Sequence, residues 1–114
     1  MVTELANLPI TPGQEDAFAA AYAEGSKLLL AAPGCRSARL LRGVESPSLF
    51  AAIVEWDSLE DHQSYLASAS FGTFGALIGE FFAGPATVEH FTESCPARRT
   101  RTGRPANCPT GAPC

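Results

Sequence analysis

Trp56 and His62 are the residues of this chain whose types and spacing best suit chemistry. A neutral imidazole, with a reference pKa of ~6.5, is a suitable proton acceptor near neutral pH. An indole N–H aimed into a cavity can hold an oxygen atom of a bound molecule. Asn7 offers an amide for an anion or carbonyl, and Tyr22, Phe50, Tyr65, Phe71 and Phe74 offer aromatic surface for the walls of such a cavity. Each residue has a plainer reading as well. His62 suits a hydrogen bond to a nearby loop, Trp56 a core anchor, Asn7 a bond within its own strand, and the aromatic side chains simple packing.

The positions of Trp56 and His62 follow from the elements that carry them. Residues 49–56 alternate so that Phe50, Ala52, Val54 and Trp56 share one strand face, while Leu49, Ala51 and Ile53 share the other. Both faces are apolar, which predicts a strand covered on both sides. Ser58 is a suitable N-cap, and Asp61 stands at the capping-box position of a helix predicted over about 58–67. Leu59, His62 and Leu66 then fall on one side of that helix, with Tyr65 turned toward the next. The helix dipole disfavours an imidazolium at His62, whereas Glu60 and Asp61 favour it. His90 alternates with Val88 and Ala86 on a last strand, and so faces either the cavity or an interface.

The remaining elements can be read in the same way. Glu4, Ala6, Leu8 and Ile10 alternate with Leu5, Asn7 and Pro9 in a first strand. Thr11-Pro12-Gly13-Gln14 reads as a helix start, with Thr11 as N-cap and Pro12 in the first helical position. Phe18, Ala21, Tyr22, Gly25, Leu28, Leu29 and Ala32 recur at helical spacing, and Pro33-Gly34 ends the helix. A strand over 36–44, a turn at 45–48, a third helix from Phe71 to about Phe82 and a last strand over 86–93 complete the pattern. The order β-α-β-β-α-α-β is that of a ferredoxin-like α+β fold, a four-stranded antiparallel sheet with helices on one face. The other face would lie bare in a monomer, which predicts a homodimer packed sheet on sheet.

The length of 114 residues suits one domain, over 1–93, followed by a basic, proline- and cysteine-containing tail over 94–114 that reads as disordered. All 12 acidic residues precede the tail, against Lys27, Arg36, Arg39 and Arg42, while the tail adds Arg98, Arg99, Arg101 and Arg104. An acidic body argues against nucleic acid as a partner, because phosphate neutralisation supplies most of that affinity. Cys35, Cys95, Cys108 and Cys114 match no zinc-ligand spacing, so no metal site is expected. The N-terminal residues lack the pattern of a signal peptide, and no apolar run reaches the ~18 residues of a membrane span. These features predict a cytoplasmic protein without a membrane partner.

Over about residues 2–92 the chain resembles the antibiotic biosynthesis monooxygenase family of dimeric α/β barrels. The marks are the strand leading into Thr11-Pro12-Gly13, then Pro33-Gly34-Cys35, then Glu55-Trp56-Asp57-Ser58 with His62, Ser68 and Phe71. The resemblance implies a cavity between sheet and helices in each subunit. Members include cofactor-free oxygenases of polycyclic phenols or quinols, and haem-degrading enzymes. In members that oxidise anthrones, an asparagine precedes the tryptophan by four residues and a tyrosine follows it by six; here those positions hold Ala52 and His62. In haem-degrading members an iron-ligating histidine follows the tryptophan by about ten residues, where this chain has Leu66, although Asn7 and Trp56 match.

The resemblance therefore implies a monooxygenase that needs no cofactor and oxidises a small aromatic or polyketide-like phenol, anthrone or quinol with molecular oxygen. His62 would act as base, with Trp56 and Asn7 as orienting donors. A non-catalytic dimer of the same fold, binding a small molecule or regulating a partner, is the alternative, and a haem-degrading monooxygenase stands behind both.

Overall fold

The computed structural model describes residues 1–95, so the expected tail, apart from residues 94 and 95, lies outside the described residues. The elements are β1 (Val2–Pro9), α1 (Glu15–Leu30), β2 (Cys35–Arg42), β3 (Leu49–Trp56), α2 (Leu59–Leu66), α3 (Ala69–Ile78), a 3₁₀ turn at Gly79–Phe81, and β4 (Thr87–Phe91). The strands form one antiparallel sheet in the order β2-β3-β1-β4, with the register Glu4↔Val54 and Glu4↔His90 at its centre. This is the ferredoxin-like α+β arrangement that the element order predicts. Among the described residues, no helix is long and apolar enough to cross a membrane.

Alternation decides what each strand buries. Ala6, Leu8, Phe50, Ala52, Val54 and Trp56 face the helices and are buried, while Leu49 on the opposite face remains exposed. Helix α1 lays Phe18, Tyr22, Gly25 and Leu29 against this inner face. Phe18 is fully buried, with its ring 5.0 Å from that of Phe50 in an edge-to-face contact. Burying one such ring contributes about 1.5–3 kcal/mol, so this pair anchors the half of the core away from Trp56.

Of the three helix starts only that of α2 agrees with the expectation: α1 begins later, and α3 begins at Ala69, two residues before the expected Phe71, and ends at Ile78, with a 3₁₀ turn in place of its expected last residues. Thr11 does not cap α1. Its carbonyl accepts a bond from the Gln14 N–H at 3.0 Å, closing a turn in which Pro12 is followed by Gly13 at φ 93°. Proline then a positive-φ glycine is the chemistry of a type II turn, so the helix begins only at Glu15. Ser58 does cap α2, accepting from the Asp61 N–H at 3.2 Å. Ser68 caps α3 likewise, accepting from the Phe71 N–H at 3.3 Å. The hydroxyls satisfy backbone donors that the first helical turn leaves without partners.

Helix α2 is rotated relative to the expected face. It buries His62 and Tyr65 and leaves Leu66 44% exposed. Residues three apart share a helix face, and Tyr65 has more apolar area to bury than the polar side chains that would replace it there. Its ring meets those of Trp56 at 5.8 Å and Phe71 at 5.9 Å, which joins α2 to both the sheet and α3.

Candidate functional site

Three elements meet at Glu4, His62 and Trp56. Glu4 faces inward from β1, Trp56 ends β3 on the same face, and the Ser58 cap starts α2 soon enough to bring His62 back over the indole. The two rings stack with centroids 4.9 Å apart and planes 20° apart. Glu4 Oε1 accepts the Trp56 Nε1–H at 3.0 Å and lies 3.3 Å from His62 Nε2. His62 Nδ1 lies 2.7 Å from Nε2 of His90, the residue of edge strand β4 that pairs with Glu4. Trp56 is fully buried, and the Glu4 and His62 side chains are nearly so.

The Glu4 carboxylate, 3.3 Å from His62 Nε2, selects the tautomers by its charge. A carboxylate only accepts, so His62 carries its proton on Nε2, facing Glu4. His62 Nδ1 is then the acceptor, and His90 donates to it from Nε2–H. Burial holds the His62 pKa below its ordinary value; the Glu4 carboxylate opposes that shift and His90 reinforces it. A neutral imidazole at neutral pH follows. The Glu4 charge also acts at a distance, adding to burial in pushing up the Tyr22 hydroxyl and the half-buried Cys35 thiol.

Beside this cluster lies a cavity of about 180 Å³ between the inner sheet face and α1, α2 and α3. Its polar lining is confined to Glu4, Tyr22, His62 and Tyr65; aliphatic and phenyl groups supply the rest. The Tyr22 hydroxyl is buried without a hydrogen-bond partner. Leaving such a group unpaired costs about 1–3 kcal/mol, so this hydroxyl is a candidate donor in the cavity wall. Phe71 and Val88 line the cavity and are 36% and 47% exposed, which puts its mouth between the α2–α3 corner and β4.

The residues singled out from the sequence separate into two groups. His62, Tyr22, Tyr65, Phe71 and Phe74 line the cavity. Trp56 stands behind His62, its N–H taken by Glu4, and so offers no free donor to a ligand. Phe50 packs against Phe18 in the core, away from the cavity wall. Asn7 points to the opposite sheet face, where its Nδ2 donates to Thr87 Oγ1 at 3.4 Å; strand alternation forbids it from sharing the cavity with its neighbours Ala6 and Leu8.

Glu4 is the functional candidate absent from the sequence reading. Its signal was present: a lone carboxylate on a strand face otherwise made of Ala6, Leu8 and Ile10. Buried carboxylates require partners, and here the partners come from residues more than fifty positions away.

The site offers no obvious seat for haem or for a metal cluster. Both His62 ring nitrogens are engaged, Leu66 lies at the surface, and about 180 Å³ is below the ~300 Å³ at which pockets for drug-sized ligands begin, well short of a porphyrin. Among the described residues, no group of three or more His, Cys, Asp and Glu side chains is arranged to hold a metal ion.

An antiparallel sheet covered on one face by helices, with a small cavity between them and one buried acid–imidazole pair at its wall, defines a ferredoxin-like domain built around an internal site. The chain belongs to the antibiotic biosynthesis monooxygenase family, whose model matches residues 1–77. It is 31% identical over 94 residues to the uncharacterized protein YczJ of Bacillus subtilis, covering 82% of this chain and 99% of that one. A candidate antibiotic biosynthesis monooxygenase from Bordetella bronchiseptica superposes with a TM-score of 0.79 at 32% identity, over 81% of this chain and 95% of that one. SnoaB, a cofactor-independent oxygenase from Streptomyces nogalater, shares the fold with a TM-score of 0.72 at 19% identity, over 82% and 92% of the two chains.

Proposed function

We propose that this protein is a cytoplasmic, homodimeric, cofactor-independent monooxygenase acting on a single-ring phenol or hydroquinone. The observation that carries the reading is the cavity itself: apolar walls of one-ring size, with the polar groups Glu4, His62 and Tyr22 among them. An apolar cavity of about 150 Å³ holds a benzene molecule, so about 180 Å³ supports one substituted ring. It favours such a ring over a three-ring anthrone.

Within this reading, the Glu4–His62 pair takes the hydroxyl proton of the bound substrate, and the Tyr22 O–H donates to the resulting oxyanion. The electron-rich phenolate then passes an electron to dioxygen, and the two radicals combine at a ring carbon. Loss of water from the peroxide leaves one oxygen atom as a quinone carbonyl and the other in water. A phenol plus dioxygen gives a quinone plus water, so the reaction balances without a further reductant. The apolar walls exclude water, which strengthens every electrostatic interaction inside.

The outer sheet face supports the homodimer. Leu5, Ile53 and Phe91 line an open groove there, and Leu49 and Phe91 are exposed. A second copy would cover these side chains.

Oxygen uptake by the purified protein, with one-ring hydroquinones and anthrone run in parallel against a protein-free control, tests the function. The expected result is uptake with the one-ring compounds that falls about a hundredfold or more in the His62→Gln variant. Equal uptake by that variant would remove His62 from the chemistry. Glutamine is preferred to alanine, because His62 is buried and stacked and its truncation would open a void.

A further inference from the structure

The proposed chemistry takes a proton from one bound oxygen and returns one to another, so the proton held at Glu4 and His62 needs an exchange route with solvent. His62 cannot lose a proton directly to water, because its side chain is only 6% exposed and each ring nitrogen faces a protein group. The group on the outer side is His90, an exposed residue on the edge strand β4, with Nε2 2.7 Å from His62 Nδ1. The rings are tilted by 52° with centroids 4.9 Å apart, so they meet through nitrogen atoms and not through stacked faces. On the inner side Glu4 reaches the cavity, and its bond from Trp56 and its 3.3 Å contact with His62 both use Oε1. Oxygen Oε2 remains for a ligand.

We propose that Glu4, His62 and His90 form a proton path between the cavity and solvent, with His90 as its outer end. This rests on the function proposed above and extends it to His90, which that function does not require by itself. Glu4 takes the substrate hydroxyl proton directly and returns it to the peroxide. The resting tautomers, with Nε2–H on both rings, then run the path inward: His90 gains a proton from water on Nδ1 as its Nε2 proton moves to His62 Nδ1 and the His62 Nε2 proton moves to Glu4. One proton enters and one reaches Glu4, no electrons move, and only O–H and N–H bonds are made and broken. Both rings now carry Nδ1–H, and the proton on Glu4 leaves by the same atoms in reverse, which restores the resting tautomers. Trp56 positions the path, holding Glu4 by its N–H and His62 by its stacked ring. His90 is a relay residue that does not touch substrate.

A measurement that needs no substrate decides the relay. In protein labelled with nitrogen-15 at histidine, NMR reads the exchange of the His62 ring proton with water in the unmodified chain and in His90→Phe, which fills the same place without a proton-carrying atom. Exchange slower by about a hundredfold in His90→Phe, the lower end of what a positioned proton-transfer group is worth, is the expected result. Unchanged or faster exchange overturns the path, provided the variant's urea midpoint shows that it remains folded. In the oxygen-uptake assay, turnover by His90→Phe should fall and be restored by added imidazole. Loss without restoration would make His90 a structural residue. Absence of turnover in the unmodified protein would count against the function alone, since the exchange measurement still decides the path.

Discussion

Trp56 and His62 stack in parallel although one closes a strand and the other lies in the first turns of a helix, and both face the same oxygen of Glu4, the indole N–H through a hydrogen bond and the imidazole Nε2 at 3.3 Å. The indole thus fixes the imidazole plane from one side and the carboxylate from the other. A buried carboxylate with only one remaining donor is destabilising, so the three side chains act as a unit.

The first consequence concerns Trp56→Phe. The aromatic stack survives in part, but the N–H to Glu4 is lost, and a hydrogen bond to a charged group is worth about 1.5–3 kcal/mol. Urea denaturation should show a loss of that size. The same change in a Glu4→Gln background should cost less, with a coupling of at least about 0.5 kcal/mol. Additive losses would mean that the Trp56–Glu4 bond contributes nothing to stability.

A second consequence is a pH dependence of stability with a definite sign. His62 is held below its ordinary value of 6.5 in the folded chain, by burial first and by His90 next, against the opposing Glu4 charge. Between that lowered value and 6.5 the unfolded chain binds more protons than the folded one, so stability rises with pH across this window and levels off above it. Acidification from neutral pH should lower the urea midpoint, and His62→Gln should flatten the slope. The groups facing His62 are Glu4 from β1 and His90 from β4, so His90→Phe is the companion variant. A midpoint that rises on acidification would contradict this account.

Tyr22→Phe separates stability from binding. The hydroxyl is buried without a partner, and burial together with the Glu4 charge pushes its pKa well above the usual value. Removing it should leave the urea midpoint unchanged or raise stability by about 1 kcal/mol. If the hydroxyl donates to substrate, the same variant should raise KM for a one-ring quinol by about tenfold. A variant that is less stable and binds normally would show that the hydroxyl serves the fold instead.

Much of the fold was legible because it depends on short-range rules. The period-two alternation of Phe50, Ala52, Val54 and Trp56 and the hydroxyl of Ser58 act within a few residues, and the structure reproduces both. The start of α1 was misread because Thr11-Pro12-Gly13 suits a helix N-terminus and a type II turn equally, and Gly13 resolves the choice only through its backbone angle. The face of α2 was misread because Leu66 is the more apolar residue by type, while Tyr65 gains contacts to Trp56 and Phe71 that no local pattern records. At the site, strand alternation alone places Asn7 and Glu4 on opposite faces. That Glu4 meets Trp56, and that His62 meets His90, depends on the register of β1 with β3 and β4, which is a tertiary fact.

The α1–α3 crossing gives the last prediction, in which two glycines should respond with opposite signs. A Cβ at Gly25 would stand 2.6 Å from Cδ1 of Phe74, whose buried ring is already in edge contact with Tyr22 at 5.8 Å and forms part of the cavity wall. The ring cannot withdraw without entering the cavity or displacing Tyr22. Gly25→Ala should therefore destabilise, because overpacking costs about 1–3 kcal/mol and exceeds the roughly 1 kcal/mol that alanine gains in helix propensity. It should also weaken binding of a one-ring ligand as Phe74 is pushed inward. Gly72, on α3 and exposed, has nothing within 4 Å of a built Cβ, so Gly72→Ala should instead stabilise by up to about 1 kcal/mol. Paired urea denaturation of the two variants checks the contrast. Stabilisation by both would show that α1 and α3 separate readily, and that the cavity wall between them is softer than the Gly25–Phe74 contact implies.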